Sequence, residues 1–245
     1  MKYSLLVFLL LFISCSKELN FENQSFKKTS SLDCKENCPT IKLKIPVATN
    51  SGIIADSINK TVFETVKSII DFGDKPNIAT NYEQLATSFI QAYEKIKKDF
   101  PRDHFGWEAN IEGKVKYRSE NLINIEINHY TFTGGAHGYA GLRSLLFDPE
   151  TGKQIPNETL FKNWNLFQVF AEAKFREKFQ IPKDQPINST GMLFEDDIFH
   201  VAQNIFFTQK GILLHYNPYE IAPYVDGSRE LLIPYEEAND YLIKK

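Results

Sequence analysis

Hydrophobic and polar positions change their period along the chain, and each change marks an element. Thr40-Ile-Lys-Leu-Lys-Ile45 alternates apolar and polar side chains, the pattern of a half-buried strand, and Pro46 closes that strand or places it at an edge. The period then becomes helical. Ile58, Val62, Val66 and Ile69 recur at intervals of four and three residues, with Asp56 or Ser57 as the cap. A second helix opens at Asn81 with Gln84 in capping-box spacing. It buries a stripe of Leu85, Phe89, Tyr93 and Ile96 and ends before Pro101.

From Trp107 the period is two. Trp107, Ala109, Ile111, Gly113, Val115 and Tyr117 share one strand face, with Glu108, Asn110, Glu112, Lys114 and Lys116 on the other. Ser119-Glu120-Asn121 turns the chain, and Ile123, Ile125 and Ile127 return on the apolar face. Past Ile127 the alternation slips, because Tyr130 and Phe132 fall off the core phase that His129 and Thr131 keep. A β-bulge near Asn128 accounts for this, as does burial on both faces. The chain then enters a corner dense in glycine, with Gly134, Gly135, Gly138 and Gly141 around His137. Glycine at that density permits positive φ and close backbone approach, so the corner decides where His137 points.

Beyond the corner, Leu142 to Phe147 reads as a strand ended by the turn Asp148 to Gly152. A helix follows Asn163 with Phe167, Phe170, Phe175 and Phe179 on one side. Gln203–Thr208 and Gly211–Tyr216 form a hairpin, Leu231 to Pro234 a last strand, and Tyr235 to Lys244 a terminal helix. Strands dominate without β-α-β alternation. The expected fold is α+β, a mostly antiparallel sheet with helices packed on it, in two sub-domains (40–138 and 139–245) forming one compact unit.

The first residues set the compartment. Leu5 to Ile13 is nearly unbroken apolar sequence after a short basic start, too short to span a bilayer and suited to a signal peptide. Phe12-Ile13-Ser14-Cys15 resembles a lipobox, so Cys15 is expected to be the lipidated first residue of an exported, membrane-anchored lipoprotein. Residues 16–39 are polar and aperiodic and read as a flexible tether. Within them, Cys34 and Cys38 suit a small disulfide in an oxidising compartment better than a metal site, which would need further ligands.

Composition narrows the function classes. With 42% hydrophobic and 24% charged residues and a net charge of −3, the 245-residue chain is an ordinary globular protein without the basic runs that nucleic acid requires. His129 and His137, with Glu126 or His104, lack any specific zinc spacing, so neither a metal nor another cofactor is expected. No Gly-x-Ser-x-Gly elbow occurs, and Glu195-Asp196-Asp197 reads as charges at a segment entry, so no catalytic residue is assigned. The aromatic stretch after the second hairpin is more suggestive. Tyr216, Tyr219 and Tyr224, with Asn217 and Glu220, combine flat apolar faces with polar tips and, with His137, form the candidate binding set.

The hairpin Trp107–Asn128 followed by Tyr130-Thr-Phe-Thr-Gly-Gly-Ala-His-Gly138 resembles an extracytoplasmic domain family of bacterial envelopes. The second half continues the match with Phe147-Asp-Pro-Glu-Thr-Gly-Lys153, Phe206-Phe-Thr-Gln-Lys-Gly-Ile-Leu213, Tyr216 to Tyr224 and Ile233-Pro-Tyr-Glu-Glu237. That family includes the lysozyme-sensing ectodomain of the anti-sigma factor RsiV and the non-catalytic N-terminal part of the peptidoglycan deacetylase PdaC. The resemblance implies a two-part α+β domain, not itself an enzyme, whose partner is lysozyme or a peptidoglycan fragment. A hydrolase or deacetylase acting on an envelope glycan through the His129/His137 corner is the alternative.

Overall fold

The computed structural model describes residues 18–34, 37–72, 76–101 and 106–243, so Cys15 with its lipobox and His104 lie outside the described residues. The alternation from Trp107 to Ile127 forms a hairpin of β3 (Glu108–Arg118) and β4 (Ile123–Phe132), with Ile111 opposite His129 and Val115 opposite Ile125. Ala109, Ile111, Ile123, Ile125 and Ile127 are buried on one face of it. Helices α1 (Ile53–Ile69) and α2 (Tyr82–Asp99) cover that face with Ile58, Val62, Val66, Leu85, Phe89 and Tyr93. Trp107 packs against Phe72, Phe89 and Tyr93, its ring 5.8, 5.6 and 6.0 Å from theirs. The Asn81 side chain accepts from the Gln84 amide at 2.9 Å and caps α2, while the Gln84 side chain reaches back to the Thr80 amide. Helix α1 starts before Asp56 and Ser57, at Gly52, and the Ser57 hydroxyl instead donates to the Gly152 carbonyl at 2.8 Å.

The sheet runs β1-β2-β3-β4-β5, with β1 (Asn20–Thr29), β2 (Thr40–Thr49) and β5 (Tyr139–Phe147). Its pairs are antiparallel except β2 with β3, which are parallel and therefore need the long crossover that α1 and α2 supply. Pro46 lies inside β2, past the last β2–β3 pair at Lys44 and Glu112, so its missing N–H removes no rung from that side.

Three expectations change here. Residues 20–29 are not a tether: β1 pairs with β2 over its whole length, from Asn20 opposite Thr49 to Thr29 opposite Thr40. Phe21 and Phe26 pack against the first core but stand five residues apart, out of step with a period of two, so no alternation is legible there. The chain between β1 and β2 closes through a Cys34–Cys38 disulfide with Cα atoms 5.5 Å apart. The first unit ends at Phe147 instead of Gly138, because β5 completes the first sheet. And β4 carries no bulge at Asn128. The register shift lies in β3 between Val115 and Tyr117. Past Ile127 the apolar phase is lost because Asn128 is exposed and Tyr130, Thr131 and Phe132 are all half-buried, while the second face of β4 is buried earlier, at Asn124 and Glu126. There Glu126 is buried between Lys114 and Lys116, at 2.7 and 2.8 Å. Burial alone would raise the Glu126 carboxyl, but the two ammonium groups overcome it and hold the group below the usual carboxylate range.

The second unit packs α3 (Trp164–Phe179) on a sheet of β6 (Asn204–Phe207), β7 (Gly211–Tyr216) and β8 (Arg229–Pro234). Asn163 caps α3 through the Leu166 amide at 3.0 Å. The core is aromatic: Phe167, Phe175, Phe194, Phe207 and Tyr216. The terminal helix is shorter than expected, a single turn α4 (Tyr235–Ala238), because the chain then pairs with Phe161 and the Ile243 amide donates to the Leu160 carbonyl. Buried asparagines join the units. Asn124 on β4 donates to the Ser144 hydroxyl at 2.9 Å and accepts from the Phe207 amide at 2.9 Å. Asn204 on β6 accepts from the Ser144 amide at 3.0 Å.

Candidate functional site

The glycine corner links β4 to β5. Gly134 and Gly135 have φ of +104° and +92°, a region closed to most side chains. Gly138 is needed for another reason: a Cβ there would sit 2.5 Å from the Tyr130 ring, so the corner folds down onto that tyrosine. His137 is left exposed. Its Nδ1 lies 2.9 Å from the Gly138 carbonyl oxygen, which only accepts, so Nδ1 carries the proton. The imidazole stacks on Tyr224, centroids 4.1 Å apart and planes 13° from parallel. Tyr219 continues the shelf with its ring 5.4 Å from Tyr224, and is 60% exposed. Val225, beside it in the chain, is also exposed.

Three other expected binding residues are placed elsewhere. Tyr216 is fully buried in the second core, its hydroxyl donating to the His200 carbonyl at 2.8 Å and its ring packed on Phe175 and Phe194. Burial pushes its phenol up, out of reach of ordinary titration. Asn217 is 5% exposed and pairs with the edge of β5, accepting from the Leu142 amide at 2.7 Å and donating to its carbonyl at 3.0 Å. Glu220 accepts from the backbone amides of Asn217 and Gln203 at 2.9 and 3.1 Å. These contacts hold the loop in place. The reversal lies at Tyr219, whose φ of +71° turns the chain outward after the inward-facing end of β7.

His129 and His137 touch different rings. His129 lies 5.8 Å from Tyr139 across the β4–β5 pair, is 3% exposed, and has no hydrogen-bond partner on either nitrogen among the described residues. Burial, helped by the Arg143 charge, pushes its imidazole down to about 4, so it is neutral at physiological pH. Among the described residues no group of histidine, cysteine and carboxylate side chains converges to hold a metal. Asp197, in the acidic run, accepts from the Asn188 amide at 2.8 Å and braces a turn.

One feature escaped sequence reasoning. On the sheet face away from the helices, Lys42, Lys44, Asn110, Glu112, Asn128 and Tyr130 line a groove of about 360 Å³. Lys44 and Glu112 pair across it at 2.7 Å, and that hydrogen bond, reinforced by the lysine's charge, holds the Glu112 carboxyl low. Tyr130 belongs both to this groove and to the floor of the corner. The residues read as solvent-side positions of separate strands; only the register, Lys42 beside Asn110 and Asn110 opposite Tyr130, gathers them.

Comparison with known proteins also finds two segments, the first of which leaves out β1 and most of β5. Residues 32–140 match the family model described as deacetylase PdaC, and residues 156–236 match a protein family of unknown function, DUF3298. A solved DUF3298 protein from Pseudomonas aeruginosa PAO1 is 20% identical with a TM-score of 0.65, covering 93% of this chain and 95% of that one. Another, from Bacteroides fragilis NCTC 9343, is 19% identical with a TM-score of 0.66, covering 93% and 94%. No curated protein sequence is significantly similar to the chain. The chain therefore joins a segment similar to the PdaC deacetylase family to one similar to DUF3298, in the fold of solved DUF3298 proteins.

Proposed function

We propose that the protein is a lipid-anchored binding module of the bacterial cell envelope that recognises lysozyme or a peptidoglycan fragment through the glycine corner, without catalysis of its own. The observation that carries this reading is the stack of exposed His137 and Tyr219 rings on either side of a half-buried Tyr224. Flat aromatic faces with polar tips suit both a sugar ring and a protein hot spot. The polar groove reached through Tyr130 adds hydrogen-bonding groups beside them. The PdaC-like and DUF3298 segments support an envelope-associated setting, and the Cys15 lipobox supports the anchor.

Capture from envelope extract, with lysozyme and soluble peptidoglycan fragments tested in parallel, should yield a partner that the His137→Ala variant holds more weakly. His137 is exposed and its ring bonds the carbonyl of its own chain neighbour, so the substitution should leave the fold intact. A folded His137→Ala protein that has lost a measurable wild-type hydrolase or deacetylase turnover would replace this reading with an enzymatic one.

A further inference from the structure

We propose that the anchored protein stands upright on its membrane, with the Asn20–Thr49 end of the first sheet against the bilayer and the recognition corner at the far end. This rests on the lipidation of Cys15. The chain is tied down almost at once after that cysteine: Leu19 is buried in the first core, and Glu18 reaches Arg118 at 3.6 Å. Three residue steps separate Cys15 from Glu18, a leash of at most about 11 Å. A flexible tether of some two dozen residues would instead let the domain wander roughly 25 Å and take any attitude.

The strand register then fixes which end is held near the lipid. Asn20 lies opposite Thr49, and that end also carries the turn into α1, where Ile53 is exposed. The Gly152 turn after β5 packs on the same end of α1, through Ser57. At the other end, Thr29 lies opposite Thr40, Thr40 beside Glu108, Glu108 opposite Phe132, and Thr131 opposite Tyr139. The Cys34–Cys38 loop, the glycine corner and, through Tyr224, the aromatic shelf all gather there. β1 spans that distance in ten residues, about 30 Å at the rise of an extended strand. The shelf is thus presented to the aqueous space beyond the lipid headgroups, and its partner approaches from that side. The competing attitude lays the Lys42 and Lys44 face on an anionic surface.

Single-cysteine labelling of the lipidated protein in liposomes distinguishes them. Fluorophores are placed at Ile53→Cys, Lys42→Cys and Val225→Cys, with nitroxide-headgroup lipids as the quencher. An upright protein shows strong quenching at position 53 and several-fold less at 42 and 225. Inserting a long Gly-Ser segment after Ser16 should erase the difference. Quenching greatest at 42, or equal at all positions, overturns the orientation while leaving the anchor intact. Failure of the wild-type protein to float with the liposomes removes the anchor itself, and the orientation with it.

Discussion

The two units of the molecule are built from different kinds of sequence. The first takes its core from repeating patterns: isoleucines at alternate positions of β4 meet helix stripes spaced by three and four. The second takes its core from aromatic rings dispersed over a helix, loops and strands, with Phe175 on α3 packed against Phe194, Phe199 and Tyr216. A repeating pattern carries its own geometry, because the period states which side chains share a face. An aromatic ring in irregular chain has no such guide. Tyr216 and Tyr219 stand three residues apart with similar chemistry, yet one is sealed in the core and the other projects into solvent.

Core truncations should have the largest effects in both units. Phe175→Ala should cost about 3–5 kcal/mol and Ile125→Ala about 2–5 kcal/mol, read by urea denaturation. Because Asn124, Ser144 and Asn204 bind the units across a buried seam, one transition should report both losses. Two transitions, each shifted by only one of the substitutions, would divide the molecule into independent units.

Acid should expose the cost of His129. Its imidazole titrates near 4 in the folded protein against an ordinary 6.5. Between those values the unfolded chain takes up the proton and the folded chain does not. Stability from this group is therefore full above pH 6.5 and falls by up to roughly 3 kcal/mol as the pH drops toward 4. His129→Gln should flatten that part of the stability profile; an unchanged slope would show that other groups control it. The glycine corner should respond more weakly and unevenly. Gly135→Val, with open space around the added side chain, should cost about 1–2 kcal/mol for its positive φ alone. Gly138→Val should lower the melting temperature further, because its side chain meets the Tyr130 ring.

Much of the first unit was legible in the sequence, for the reason the comparison gives. The hairpin faces, the α2 cap at Asn81 and the positive φ within the corner follow from local pattern. β1 did not, because Asn20–Thr29 is polar on its outer side and has only Phe21 and Phe26 within it; pairing with β2 makes it a strand. Of the site, His137, Tyr219 and Tyr224 came together as their chemistry suggested. Tyr216, Asn217 and Glu220 share that chemistry, but their contacts to His200, Leu142 and Gln203 are tertiary and invisible to spacing.

The contrast within that loop gives the most direct measurement. Soluble peptidoglycan fragments and lysozyme are each titrated by calorimetry into the wild-type, Tyr224→Ala and Tyr216→Phe proteins, with thermal melts alongside. Tyr224→Ala should keep its melting temperature and bind the partner at least about tenfold more weakly, a loss of ~1.4 kcal/mol. Tyr216→Phe should bind as the wild type does. A Tyr224→Ala protein with undiminished affinity would contradict recognition through the corner.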